Sequence, residues 1–477
     1  MDLQGTSFIG AGRGSGGAGE YHAVNPVSGE EIDPAYLAEG EESVGAACKL
    51  AEEAFVDFRG RSGLERAEFL KAIADEIDAA EEEIVDRMTR ETALPEARCR
   101  MEKGRTCGQL RLFADLLEEG SWVDARIDHA DSGRSPVPKP DCRSMWRPMG
   151  PVLVFCASNF PLAYSVAGGD TASALASGCP VIVKAHGSHP GTAEIVATAV
   201  RKAVKTCGLH DGVFSVLFGS GRTIGQALVR NPAIKAVGFT GSRTGGRALM
   251  DAAAARPEPI PVWAEMSAIN PVFILPGALR ERGDAIAEGF VGSLTLGVGQ
   301  FCTNPGLVIL GGEGRSQFAE RIASLAGNAA PAAMLHKGIA EAYHGGLERM
   351  TSKEGVETLA QVAVEEGSGE AGAAVLGTDA TAFLSDQSMA EEMFGPATLM
   401  VSADEEASML KVAESLEGQL TATVHATEED LERFGSLISV LECKAGRLVY
   451  NGFPTGVEVC HGMVHGGPAP ATSDGRS

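Results

Sequence analysis

The chain has 477 residues, 44% of them hydrophobic and 22% charged, with a net charge of −24. That is globular composition with room for about three folding units. A surface this acidic excludes sequence-independent nucleic-acid binding and attachment to anionic membranes, which both need a basic face. No apolar run reaches bilayer-spanning length, and Met1-Asp2-Leu3-Gln4-Gly5 shows neither the basic flank nor the apolar stretch of a signal peptide, so a cytoplasmic protein is expected. The ten cysteines form no Cys-x-x-Cys pair and read as free thiols, mostly small buried hydrophobes.

In chain order, residues 6–20 are glycine-rich and read as loose. Helical periodicity follows over 43–58 and again over 66–92, where Phe69, Leu70, Ile73, Ile77, Ile84 and Met88 share a face. The run Glu81-Glu82-Glu83 reads as a solvated face of that second helix. Residues 122–151, broken by Pro136, Pro138 and Pro140, suit an extended arm or edge hairpin.

From Pro151 the pattern sharpens. Short apolar runs at 152–155, 181–183, 213–217, 236–239, 262–264 and 272–275 alternate with amphipathic helical stretches. This alternation predicts an α/β fold: a doubly wound parallel sheet, with ligands at the strand carboxyl ends. The proline-rich stretch 256–261 marks a plausible boundary. A second α/β region follows to about Leu448, with a helix over 285–296, a strand over 307–310 and a helix over 405–416. Residues 466–477 read as a frayed tail.

Several residues could carry chemistry, each weakly when taken alone. Phe239-Thr240-Gly241-Ser242-Arg243-Thr244-Gly245-Gly246 places glycines at a strand-to-helix junction, where amides can approach a phosphate; it is equally an ordinary turn and helix cap. Lys184 ends a strand, where it could bond a ribose or phosphate or simply be solvated. Cys302, in Gly299-Gln300-Phe301-Cys302-Thr303-Asn304, reads as an exposed loop thiol that a helix end or nearby amides could activate; a passive loop cysteine is the commoner case. Glu265 at a strand end could be a general base, and Asn159 an oxyanion donor or a turn residue before Pro161.

Together, Ser158-Asn159-Phe160-Pro161, Val181-Ile182-Val183-Lys184, Phe239-Thr240-Gly241-Ser242, Glu265, Gln300-Phe301-Cys302-Thr303 and Glu392-Met393-Phe394-Gly395-Pro396 resemble the aldehyde dehydrogenase superfamily in kind, order and spacing. The resemblance covers about residues 27–468. It implies that Cys302 attacks an aldehyde, that Asn159 and a backbone amide hold the oxyanion, and that Glu265 activates the water that releases the acid. It places Lys184 on the adenosine ribose, Gly241, Ser242 and Gly246 near the pyrophosphate, and Glu392 with Phe394 at the nicotinamide ribose. Phe160 and Phe453 would line the substrate tunnel. The implied layout has five parts: residues 1–121 in the cofactor domain, an oligomerisation arm over 122–149, a dinucleotide-binding core over 150–265, a catalytic domain over 266–448 and a return segment over 449–477.

A narrower likeness, carried by Ala157-Ser158-Asn159-Phe160-Pro161-Leu162-Ala163-Tyr164 and Asn451-Gly452-Phe453-Pro454-Thr455-Gly456, is to one branch of that superfamily. It contains the 2-oxoglutarate semialdehyde (2,5-dioxovalerate) dehydrogenases and the NADP-dependent fatty aldehyde dehydrogenases. The first is the leading reading; fatty aldehyde oxidation, acyl transfer to coenzyme A and a non-catalytic role are the rivals. Some NAD-preferring relatives carry a glutamate where this chain has Gly187, so no carboxylate repels a 2′-phosphate. Lys184, with His186, could attract it; NADP is expected, with NAD also accepted. No metal is expected. The resemblance implies a homodimer or homotetramer, although the chain stops soon after His465-Gly466-Gly467-Pro468, where relatives continue.

Overall fold

A computed structural model describes residues 2–403 and 405–475. Its first sheet contains the five anticipated parallel strands, in the spatial order Val262–Glu265, Ala236–Thr240, Val152–Phe155, Val181–Lys184 and Phe214–Leu217. The last three are buried along their whole length, which explains why they read as continuous apolar runs rather than alternating ones. The chain runs outward from Val152–Phe155 in one direction, then returns to its other side with Ala236–Thr240. A topological switch point therefore lies between these two strands, and a crevice opens beyond their carboxyl ends.

The second sheet has the order Glu357–Gln361, Ala374–Asp379, Ala397–Ser402, Leu307–Leu310, Val272–Ile274, Gln419–His425 and Ala445–Tyr450. Only the Glu357–Gln361 edge is antiparallel. The run at Val272 thus belongs to this sheet and does not continue the first. Nor does the proline-rich stretch 256–261 separate the two, because it feeds Val262–Glu265, still a first-sheet strand. The chain crosses between sheets only after Glu265.

Three expectations need correction. Residues 6–20 are ordered: Phe8–Ile9 adds to the first sheet and pairs with Gly12–Arg13. Buried Glu194 gathers them, accepting from the Gln4 and Gly5 amides and pairing with Arg13 at 2.8 Å. The single helix expected over 66–92 is two, Gly63–Ala79 and Glu81–Thr92. Ala80 (φ −99°, ψ 13°) leaves helical geometry, so Glu81, Glu82 and Glu83 form a new first turn, where acids complement the helix dipole. Glu82 and Glu83 are exposed, as expected of a solvated helix face, and Glu81 and Glu82 pair with Arg100.

Arg100 lies on a helix that periodicity did not reveal, Glu96–Glu119. Its buried face includes Glu102, Lys103 and Thr106, so it carries no clean apolar stripe. Finally, the tail is not frayed through Gly475; residues 476 and 477 lie outside the described residues. Ala471 and Thr472 are fully buried, Thr472 bridges Glu265, and Ser473 N–H donates to the Ala264 carbonyl at 2.9 Å. Just upstream, Gly418 N–H donates to the Ala469 carbonyl, and Gly446 lies against Gly466 so closely that a Cβ would collide. Residues 465–473 are a strap across both sheets.

The arm at 122–149 is the expected hairpin, Arg126–Asp128 against Cys142–Ser144, and it exposes Ile127, Val137, Met145 and Trp146. Among the described residues no helix is long and apolar enough to cross a membrane.

Candidate active site

The switch point is where the predicted site residues gather. Asn159 follows Val152–Phe155, Gly241 and Ser242 follow Ala236–Thr240, and Glu265 ends Val262–Glu265. Cys302 approaches from the second sheet, in the loop that enters Leu307–Leu310. One cavity of about 550 Å³ is lined by Asn159, Gly241, Ser242, Glu265, Cys302, Glu392 and Phe394.

The loop carrying Cys302 is pinned from all sides. Gly299 (φ +65°) has a left-handed backbone and packs directly on Gly395 and Pro396, where any Cβ would clash. Gln300 bridges the Gly297 carbonyl and the Leu335 amide. Asn270, itself at φ +49°, donates from Nδ2 to the carbonyls of Cys302 (2.8 Å) and Asn304 (3.0 Å). Sequence reading passed over this asparagine; a residue tolerant of positive φ just before Pro271 was the available signal.

Cys302 is half-buried, not exposed; among the ten free cysteines Cys142, Cys443 and Cys460 are the exposed ones. Burial pushes its thiol well above the usual value, and Glu265 and Glu392 add to the rise while Arg105 opposes it. The loop setting therefore does not activate the sulfur by itself. A neutral resting thiol is what the geometry favours.

His465, carried by the strap, completes the cluster. Its Nε2 lies 3.5 Å from Cys302 Sγ and 3.4 Å from Glu265 Oε2. With a proton on Nε2 it can donate to either neighbour. Glu265 Oε1, on the other side of the carboxylate, is buried without a hydrogen-bond partner. Such an atom is costly unless something fills the space beside it, and a water is the natural occupant. Sequence reading overlooked His465 because the surrounding tail looked unstructured.

Asn159 is buried, and its Nδ2 donates to the Gln300 carbonyl at 3.1 Å. One of the two amide hydrogens is thereby fixed, and the second remains for an incoming oxygen. Phe160 is buried edge-on to Phe301 (5.6 Å), the residue before Cys302, and to Tyr164 (5.2 Å). Phe453 is placed otherwise: its ring meets Gly289 and stacks near His425, inside the second sheet's packing.

On the nucleotide side, Lys184 is buried with no carboxylate partner among the described residues, and burial holds its ammonium below the ordinary value. An unpaired buried cation at a strand carboxyl end fits a ligand rich in hydroxyl and phosphate oxygens. His186 contributes no charge: burial, with His189, Lys184 and His336 close by, pushes it well below its usual value. The glycine junction offers less than expected. Gly241 N–H is spent on the Glu265 carbonyl, and the Gly245 and Gly246 amides on Ser242 Oγ and O. Gly246 instead allows close packing of Met266, and the Ser242 hydroxyl hydrogen is left as a donor into the cavity. Glu392 is enclosed at the cavity edge, and loss of solvation pushes its carboxyl up to about 7, with Glu265 adding to the rise.

The aldehyde dehydrogenase family model matches residues 14–468. The chain belongs to the aldehyde dehydrogenase family. It is 52% identical to alpha-ketoglutaric semialdehyde dehydrogenase 2 of Azospirillum brasilense over 99% of this chain and 91% of that one. It is 42% identical to alpha-ketoglutaric semialdehyde dehydrogenase of Acinetobacter baylyi, over 99% and 90%. Among solved structures, lactaldehyde dehydrogenase superposes with TM-score 0.85 at 21% identity, covering 98% of this chain and 94% of that one. Betaine aldehyde dehydrogenase of Staphylococcus aureus with NAD+ gives 0.83 at 17%, covering 99% and 93%. The fold is thus that of aldehyde dehydrogenases, and this aldehyde dehydrogenase oxidises an aldehyde with a nicotinamide cofactor.

Proposed function

We propose that this aldehyde dehydrogenase oxidises 2-oxoglutarate semialdehyde to 2-oxoglutarate, preferring NADP and accepting NAD. The observation that carries the substrate is the 52% identity, over nearly the whole chain, to an enzyme named for that semialdehyde. A long-chain fatty aldehyde is not favoured. The cofactor preference rests on the open site around Gly187. The 730 Å³ cavity there is lined by Gly187, Ser188, His336 and Lys337, and no described carboxylate faces it.

In this reading the Cys302 thiol gives up its proton to the neighbouring Glu265–His465 pair as sulfur bonds the aldehyde carbon. The carbonyl oxygen takes the negative charge and is held by Asn159 Nδ2 and the Cys302 amide. A nicotinamide cofactor, when bound, accepts the hydride, and the carbon on Cys302 becomes a thioester. The pair passes that first proton to solvent, and Glu265 then removes a proton from water beside its unpartnered Oε1. The new C–O bond displaces Cys302, which leaves with a proton as the thiol. Lys184, Ser242, Glu392 and Phe394 hold and orient the cofactor. The water-facing carboxylate favours hydrolysis over transfer to coenzyme A.

Two measurements test this reading. Assayed with both cofactors, the wild type should favour 2-oxoglutarate semialdehyde over long alkyl aldehydes, and added coenzyme A should yield no thioester. A preference for long chains, or thioester product, would overturn it. Gly187→Glu introduces a carboxylate into open space, since the nearest atom to a new Cβ is Tyr21 Cε2 at 3.9 Å. It should lower kcat/KM for NADP relative to NAD by about tenfold or more through like-charge repulsion. An unchanged ratio would remove Gly187 from cofactor selection.

A further inference from the structure

The reading above leaves the distal carboxylate of the substrate without a partner, and the following inference rests on that reading. We propose that Arg105, backed by Arg447, is the carboxylate anchor of the site: it binds the far end of a short semialdehyde whose aldehyde faces Cys302.

Arg105 is singled out by its own helix. On Glu96–Glu119, Arg98 pairs with Glu102, Arg100 with Glu81, Glu82 and Glu96, Lys103 with Asp78, and Arg111 with Asp75 and Asp78. Arg105 alone of these has no carboxylate among the described residues, in a chain with a net charge of −24. Its Nη2 donates to the Tyr164 hydroxyl at 3.0 Å, and its Nε is buried without a partner. Leaving a guanidinium nitrogen buried and unbonded is costly, and an incoming carboxylate matches its planar fork.

The position suits an anchor. The guanidinium sits 5.5 Å from the Phe160 ring and 5.2 Å from the Tyr164 ring. Tyr164 in turn lies 6.0 Å from the His465 ring, whose Nε2 is 3.5 Å from the sulfur. Arg105 is therefore bonded to a side chain that lines a cavity together with Glu265 and His465, and its charge is felt at Cys302. Gln109, one helical turn further on, lines the adjoining 780 Å³ cavity together with Tyr164, Glu265 and His465.

Arg447 supplies the second cation. Its Nη atoms donate to the carbonyls of Pro454 (2.8 Å) and Gly456 (3.2 Å), while its buried Nε has no partner. It has no carboxylate among the described residues either, and its Nη1 lies 3.7 Å from Sδ of Met463, which lines the same cavity as Tyr164 and His465. Two arginines without a carboxylate among the described residues, each touching a side chain of one cavity, give a local positive field within an acidic shell.

The test compares 2-oxoglutarate semialdehyde with pentanal, an uncharged five-carbon aldehyde, for the wild type, Arg105→Gln, Arg105→Lys and Arg447→Gln at saturating NADP. In Arg105→Gln, kcat/KM for the semialdehyde should fall at least about tenfold more than for pentanal, mainly through KM. Arg105→Lys should recover part of that selectivity, because it keeps the charge but not the fork. Arg447→Gln should erode the same ratio by a smaller factor. Equal losses on both aldehydes would mark the arginines as structural and overturn the anchor. If Arg105→Gln fails to fold, the lysine variant decides, since a selective loss supports the anchor and an equal one overturns it. A wild type that prefers pentanal sinks the substrate reading instead, so the two failures are told apart.

Discussion

Cys302→Ala should lower aldehyde oxidation by at least about 10⁴-fold, because no other thiol reaches the cluster and the covalent route is lost with it. The loop should keep its shape: Asn270, Gln300 and Gly299 fix it through backbone groups, not through the sulfur. Cofactor affinity, read by quenching of reduced-cofactor fluorescence, should stay within about threefold of wild type, since Lys184, Ser242 and Glu392 are untouched. Turnover within tenfold of wild type would end the assignment of Cys302 as nucleophile.

The second large effect is expected at Glu265. Glu265→Gln keeps the shape of the side chain and a contact with His465 but removes the base. Steady-state oxidation should drop by about 10²–10³-fold. A single enzyme equivalent of reduced cofactor should still appear rapidly in stopped flow before the slow release of acid. The same variant should change the thiol in a definite direction. Glu265 raises the Cys302 pKa, so its neutralisation lowers that pKa and increases the thiolate fraction at any pH below it. Iodoacetamide should then alkylate Cys302 faster at pH 8 than in wild type. Slower alkylation would mean instead that Glu265, rather than His465, takes the thiol proton within the pair. The assay needs a background in which exposed Cys142, Cys443 and Cys460 are serine, because these react first. Wild-type steady-state turnover together with an unchanged alkylation rate would remove Glu265 from catalysis.

What could be read in advance follows physical lines. The parallel strands were visible because burial on both faces demands uninterrupted Val, Leu, Ile and Phe, as in Val152–Phe155 and Val181–Lys184. Asn159, Lys184, Glu265 and Cys302 were visible because strand ends and connecting loops are where such folds present chemistry. The helix Glu96–Glu119 was hidden because its buried face is partly polar: Glu102 accepts from the Leu162 and Ala163 amides and pairs with Arg98, so charge stands where periodicity looks for carbon. Arg105 was hidden with it. The N-terminal strands and the strap were hidden for another reason. Their glycines, prolines and small polar residues have no local preference for order, and Glu194 or the edges of two sheets impose it from far along the chain. His186 shows the opposite failure: a plausible phosphate ligand by type, it is held neutral by its surroundings.

The strap also bears on how the protein is made. Residues 465–473 follow every strand of both sheets in the chain, so they leave the ribosome after all of them. Cys302, Glu265 and Asn159 are synthesised well before the segment that brings His465 between them and closes the edge beside Glu265. Each sheet can begin to form during synthesis, but the reactive cluster is assembled only once residues 465–473 have been made. A nascent chain therefore holds its nucleophile without the imidazole beside it, and reactivity arrives as a late event in the maturation of the fold.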